Sequence, residues 1–230
     1  MKAMIFAAGL GTRLRPLTND RPKALVEVGG RPLLEIALRR LRFFGFRQVV
    51  INIHHFADAI RDFLAQNDNF GLDIRLSDET DRLLDTGGGL KKAAPFFDDG
   101  APFLLCNADI LTSLHLKELY DFHVRHGGVA TLAVRQRPTS RYLLFRPDTL
   151  QLCGWKNEKT GEIRRARLAE NPVPLAFSGV QVVSPEIFEW MPDRAVFSII
   201  EVYLAAAAQR PVFGFRHDAD HWLDVGKPEK

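Results

Sequence analysis

Cysteine is scarce: the chain has two, Cys106 and Cys153, both inside apolar runs. A disulfide framework is therefore excluded as the source of stability, and two buried thiols are expected. Long apolar runs are missing too. None approaches the roughly 18 residues that a membrane span needs. The opening residues have neither the apolar length nor the cleavage pattern of a signal peptide. A cytoplasmic protein with no membrane partner is expected. Dense basic runs are absent: 31 Lys and Arg stand against 28 Asp and Glu, a net charge of +3. The clusters Arg39-Arg40 with Arg42 and Arg164-Arg165 with Arg167 are short. They read as solvated faces, and no nucleic-acid partner is expected. Internal repeats, low-complexity tracts and flexible linkers are also lacking. What is there is a chain of 230 residues, 46% hydrophobic, long enough to bury a core in one α/β domain.

Strand and helix patterns alternate through the first half. Strands are expected over 2–8, 48–53, 73–76, 102–107 and 129–135. Helices are expected over 32–44, 57–66, 88–97 and 114–125, from apolar residues at helical spacing. This order predicts an α/β fold: a doubly wound, mostly parallel, Rossmann-like sheet. Such sheets bind ligands beyond the carboxyl ends of their strands. Later, 142–146 and 150–155 read as a hairpin, 175–184 and 211–215 as strands, and 185–191 and 198–209 as helices. The simplest arrangement is one domain over 1–230, with a small C-terminal lobe grown onto the same sheet.

The stretch after the first strand carries the chemistry. Gly9-Leu10-Gly11-Thr12-Arg13-Leu14 begins like a dinucleotide fingerprint but has Leu14 where the third glycine belongs, and no Walker pattern follows. Backbone N–H groups in a glycine turn can cradle phosphate. A plain turn would not require Arg13, Arg15 and Lys23 to cluster, so the loop reads as a polyphosphate site. Asp109 follows a strand end, where it is either a ligand or a cap for the next helix. Ser113 is better placed for the cap. Asp224 reads alone as either a ligand or a surface ion pair. His217 and His221 stand four apart in a polar segment, which favours a surface turn over a zinc site. His54-His55 is expected to be structural.

The run Ala7 to Thr18, with Pro22-Lys23 after it, resembles the signature of the sugar-1-phosphate nucleotidyltransferases. Asp85-Thr86-Gly87-Gly88-Gly89 is similar to that family's nucleobase loop, Asn107-Ala108-Asp109 to its strand end, Phe177-Ser178-Gly179 to its sugar-side strand, and Trp222-Leu223-Asp224-Val225-Gly226 to its second acidic site. Within the family, the short length and the glycine run resemble most closely the small N-acetylmuramic acid 1-phosphate uridylyltransferases. Mannose-1-phosphate guanylyltransferase-like proteins are close to these.

The resemblance implies an enzyme of nucleotide-sugar and cell-wall biosynthesis. Its substrates would be a nucleoside triphosphate and a sugar 1-phosphate, UTP with N-acetylmuramic acid 1-phosphate first and GTP with mannose 1-phosphate second. It would be a monomer or a small homo-oligomer, with residues 1–135 serving the nucleotide and 136–230 the sugar. Arg13 and Lys23 would be catalytic, on the pyrophosphate and the α-phosphate respectively. Ala8, Gly9, Gly11, Thr12, Asp85, Thr86, Gly87, Gly88 and Asn107 would hold the nucleotide, and Phe177, Ser178 and Gly179 the sugar. Asp109 and Asp224 would be paired ligands for Mg²⁺. Two departures fall on the sugar side and beyond: Glu158-Lys159-Thr160 lacks the family's proline, and Gly226-Lys227-Pro228-Glu229 differs from its Gly-Thr-Pro-Glu. Neither a β-helix repeat nor an acyltransferase extension is expected. A non-catalytic nucleotide sensor would be expected to have lost Arg13, Lys23 or an acid, and all are present. A molybdenum-cofactor nucleotidyltransferase begins with a similar loop, but Pro16-Leu17-Thr18 and residues 222–226 favour a sugar.

Overall fold

A computed structural model describes residues 1–226, so Lys227-Pro228-Glu229 lies outside the described residues. Strand β1 (Lys2–Phe6) leads into the glycine loop, and a hairpin of β2 (Glu27–Val28) and β3 (Arg31–Pro32) precedes helix α1 (Leu33–Phe43). Then come β4 (Gln48–Ile53), α2 (Ala57–Gln66), β5 (Asp73–Asp78), α3 (Asp85–Ala93), β6 (Phe103–Asn107) and β7 (Ile110–Thr112). The second half holds α4 (Leu116–His126), β8 (Ala130–Arg135), β9 (Arg141–Phe145), β10 (Leu152–Asn157), β11 (Ile163–Arg165) and β12 (Val173–Val183). It closes with α5 (Ile199–Ala207), β13 (Val212–Arg216) and β14 (Trp222–Asp224).

The main sheet runs β11-β10-β9-β12-β6-β1-β4-β5, with β8 and β13 branching from β12. Strands β6, β1, β4 and β5 pair in parallel, as the alternating pattern predicts. From β12 outward the pairing turns antiparallel, apart from the β8–β13 pair. The sheet is thus mixed, with a parallel core. Its faces are filled separately. Ala3 and Ile5 of β1 join α1, α2 and α4 in one core, while Met4 joins α3 and α5 in the other. Burial on both faces explains why β1 reads as an unbroken apolar run. Cys106 and Cys153 are buried free thiols, and burial pushes the Cys106 thiol up to about 12.

Strand β1 sits between β4, which follows it through α1, and β6, which the chain reaches after crossing back through α3. A doubly wound sheet opens a crevice at such a reversal. Phe6 pairs with Asn52 on one side and Asn107 on the other, so the three strand ends open at one level.

Some boundaries differ from expectation. Helix α3 starts at Asp85, so Asp85-Thr86-Gly87-Gly88 is the first turn of a helix rather than a free loop. Residues 185–191 form only a 3₁₀ run, Pro185–Trp190. The cap of α4 is His115, whose Nδ1 accepts from Glu118 N at 3.2 Å. Ser113 instead bonds Asp220 Oδ1 and His221 N, tying β7 to the turn before β14. Among the described residues, no helix is long and apolar enough to cross a membrane.

Candidate active site

A cleft of about 430 Å³ opens over the strand ends, lined by Ala7, Ala8 and Gly9, by Lys23, by Asn107 to Asp109, and by Asn52, Glu79, Asp85 and Thr86. The glycine loop forms its lip. Gly11 has φ +65°, and a Cβ there would lie 2.9 Å from Thr18 Cγ2 and 3.1 Å from Lys23 Cβ. The bare α-carbon lets the loop fold back on the turn that carries Lys23. Thr18 Oγ1 donates to Gly11 O at 2.9 Å and fixes that fold. Thr12 and Arg13 lie outside the deep part of the cleft, on the exposed lip. Arg13 and Arg15 are exposed and have no ion-pair partner among the described residues.

The acids are distant in sequence but adjacent in space. Strands β7 and β14 pair antiparallel, with Asp224 opposite Ile110, and Val225 N donates to Asp109 O at 3.0 Å. A Cβ built on Gly226 would fall within 2.9 Å of Asp109 Oδ2, Asp224 Oδ1 and Lys23 Nζ together. The three groups therefore surround one small volume. Lys23 Nζ donates to Asp109 Oδ2, and both side chains are mostly buried. Two carboxylates around one volume, one of them already holding a cation, are a donor set suited to a hard divalent ion. Among the described residues, no cluster of three or more His, Cys, Asp or Glu is placed to hold a metal. Two carboxylates would leave the remaining coordination positions to water and phosphate oxygens.

On the base side, Asp85 and Thr86 line the cleft, but Gly87 and Gly88 do not. Both glycines are buried, and Phe197 O accepts from their N–H groups at 2.9 and 3.3 Å. A Cβ on Gly88 would collide with the Ala195 carbonyl oxygen. These glycines admit the 195–197 segment rather than a base, which corrects the expectation for both. The Thr86 hydroxyl is also engaged, accepting from Ile199 N at 3.0 Å. Gly88→Ala is expected to destabilise the fold by about 3 kcal/mol through overpacking, read as a lower urea midpoint with an unchanged slope.

Two cleft residues escaped the sequence reading. Asn52 Oδ1 accepts from Ala7 N at 2.7 Å and from Ala8 N at 3.3 Å, and its Nδ2 donates to Glu79 Oε1 at 2.8 Å. Glu79 Oε2 accepts from Leu84 N at 3.1 Å. The pair thus braces the glycine loop against the base side. Burial pushes the Glu79 carboxyl above its usual range, against the hydrogen bonds that favour its ionised form. His54 is structural, as expected: its Nδ1 donates to Glu79 O at 2.6 Å. The available signal was a polar Asn52 inside the apolar run Val49–Ile53, since a buried polar residue needs partners. Asn52→Leu strands two backbone donors and one carboxylate oxygen. At about 1–3 kcal/mol for each unsatisfied group, a loss of several kcal/mol in a denaturant melt is expected. A raised KM for nucleotide should accompany it.

On the far side, β12 carries Phe177-Ser178-Gly179 past β6, and Gly179 abuts Asn107 and Ile110. Ser178 is fully buried, and its Oγ is hydrogen-bonded to His217 Nε2 at 2.7 Å. That hydroxyl is not presented to a sugar, which corrects the expectation for Ser178. His217 opens the expected turn, its carbonyl accepting from Asp220 N at 3.1 Å, but its ring is buried, and burial pushes the imidazole below the usual range. The Ser178 carbonyl accepts from the Trp222 indole at 2.9 Å. Arg137, a further residue that the sequence reading missed, lies over the Trp222 ring, 4.2 Å from its centroid.

Known proteins agree with this architecture. The Nucleotidyl transferase family model matches residues 2–230. An N-acetylmuramate alpha-1-phosphate uridylyltransferase from Caulobacter vibrioides is 35% identical, over 99% of this chain and 92% of the relative. A mannose-1-phosphate guanyltransferase from Kluyveromyces lactis is 31% identical over the whole chain, which spans 62% of that protein. Among solved structures, HddC from Yersinia pseudotuberculosis complexed with GMP-PN superposes with a TM-score of 0.78, at 21% identity, over 99% of this chain and 94% of the other. At that identity the likeness speaks for the fold alone.

Proposed function

Because the chain belongs to the nucleotidyl transferase family, we propose that it joins a nucleoside triphosphate to a sugar 1-phosphate, giving a nucleoside diphosphate sugar and pyrophosphate. The observation that carries the reading is the meeting of Lys23, Asp109 and Asp224 around one volume, with Lys23 and Asp109 lining the cleft and the glycine loop folded against the Lys23 turn. A phosphate oxygen of the sugar 1-phosphate attacks the α-phosphorus. The bond from that phosphorus to the oxygen bridging to the β-phosphate breaks, and pyrophosphate leaves with the electron pair. The nucleophile is already anionic, so no strong base is required. The task is to align two repelling anions and neutralise charge as it develops.

The backbone from Ala8 to Thr12 would cradle the triphosphate, with Arg13 on the departing pyrophosphate. Lys23 would leave Asp109 for the α-phosphate. Asp109 and Asp224 would hold Mg²⁺, which when bound screens the phosphates and brings them together. Asp85, Thr86 and Asn107 would serve the nucleotide. Phe177 and Gly179 would bound the sugar, which divides the chain into a nucleotide part over 1–135 and a sugar part after it. This reading places the enzyme in the cytoplasm and in cell-wall nucleotide-sugar synthesis.

UTP with N-acetylmuramic acid 1-phosphate is the pair we favour. Its support is the similarity to the uridylyltransferase, which extends over nearly the full length of both chains. The test is a matrix of UTP, GTP, CTP and dTTP against the 1-phosphates of N-acetylmuramic acid, glucose and mannose, read by pyrophosphate release. Preference for GTP with mannose 1-phosphate would overturn the pair and keep the reaction. Tight nucleotide binding with no pyrophosphate from any pair would favour a sensor.

A further inference from the structure

Beside Asp224 lies a cation whose hydrogen-bonding capacity its surroundings do not fill. Arg137 follows β8 and is half-buried. Its guanidinium lies on Trp222, and its Nη2 donates to Phe177 O at 3.0 Å. Nη1 reaches only the neighbouring Pro138 O, at 3.3 Å, and Nε is buried without a partner. The carboxylate whose charge it feels is Asp224. Arg135, two residues earlier and over the same ring, is a second cation close by, and it donates to the carbonyls of Asp218 and Asp220. A half-buried guanidinium next to a like charge, with neutral carbonyls as acceptors and a buried Nε left without one, costs free energy that the Asp224 charge offsets only in part. An arriving anion would offset that cost.

The placement says which anion. Trp222 and Asp224 are two apart on β14, so their side chains share one face. Arg137 is therefore on the Asp224 side of the site. Phe177, whose carbonyl anchors it, begins the strand segment that reaches Asn107 through Gly179. Lys159, the lysine of the departing Glu158-Lys159-Thr160 segment, is exposed.

We propose that Arg137 binds the phosphate of the acceptor, a sugar 1-phosphate, and holds it beside Asp224. This rests on the reading that the cleft transfers a nucleotide to such an acceptor. Stacking on Trp222 pre-orients the fork, and a guanidinium with free N–H groups can grip a phosphate through two bonds at once.

The experiment is steady-state kinetics of the full chain and of Arg137→Ala and Arg137→Lys, varying each substrate separately, with thermal melts alongside. Arg137→Ala should raise KM for the sugar 1-phosphate about 10- to 100-fold, as expected for losing a charge-assisted pair. KM for the nucleoside triphosphate should stay within about threefold, as uniform loss of acceptor binding requires. Arg137→Lys keeps the charge without the fork and should fall between the two. The shift should appear alike with N-acetylmuramic acid 1-phosphate and glucose 1-phosphate. An effect confined to the carboxylated sugar would overturn phosphate binding in favour of carboxylate recognition. Equal rises in both KM values with a lowered melt in both variants would make Arg137 a strut between β12 and β14, and would also overturn it. An active wild type with unchanged KM in Arg137→Ala refutes this assignment alone. A wild type that releases no pyrophosphate from any pair refutes the activity and this assignment together.

Discussion

Lys23→Ala should lower kcat about 100- to 1,000-fold, the usual consequence of removing one well-placed electrostatic stabiliser from a transition state. Among the described residues it is the only lysine or arginine lining the cleft, and its Nζ already lies against Asp109. It sits on a single 3₁₀ turn, Lys23–Leu25, whose fully buried residue is Ala24. The fold should therefore survive: a thermal melt within a few degrees of wild type is expected beside the collapsed rate. Lys23→Arg should recover only part of the rate, because a broad fork replaces a compact point charge. A melt that falls together with the rate would make Lys23 a structural partner of Asp109 instead.

The acids should matter as much. Asp109→Asn and Asp224→Asn each remove one of two hard oxygen ligands, and either should cost on the order of 1,000-fold in rate. That corresponds to the several kcal/mol attributed to metal stabilisation of transferring phosphates. EDTA-treated wild type should lose activity and regain it with Mg²⁺. The two variants should need far more Mg²⁺ for half-maximal rate, which a merely structural role would not produce. Full pyrophosphate release by the EDTA-treated enzyme would refute the metal reading.

Periodicity served well where an element packs by a repeating face. The α1 helix shows its apolar stripe directly, with Leu33, Leu34, Leu38 and Leu41 buried. The parallel core was legible for the same reason. The glycine pair at 87–88 was not, because sequence cannot tell a glycine that admits a ligand from one that admits the 195–197 segment. The Ser178 hydroxyl was misjudged because its partner, His217, arrives from a distant turn. Asp109 and Asp224 could be joined only by resemblance, since their meeting depends on the β7–β14 pairing, two strands of three residues each. Asn52, Glu79 and Arg137 belong to no motif, and their roles come from what the fold sets against them.

The central claim is that the acceptor phosphate attacks the α-phosphorus of a nucleoside triphosphate in this cleft. The direct measurement follows label from UTP carrying ³²P at the α-position, incubated with Mg²⁺ and N-acetylmuramic acid 1-phosphate. The label is predicted to appear in a nucleoside diphosphate sugar, with one unlabelled pyrophosphate released for each product formed, and about 1,000-fold more slowly in the Asp224→Asn protein. Label recovered as UMP, or left in UTP while the nucleotide stays bound, would contradict the account.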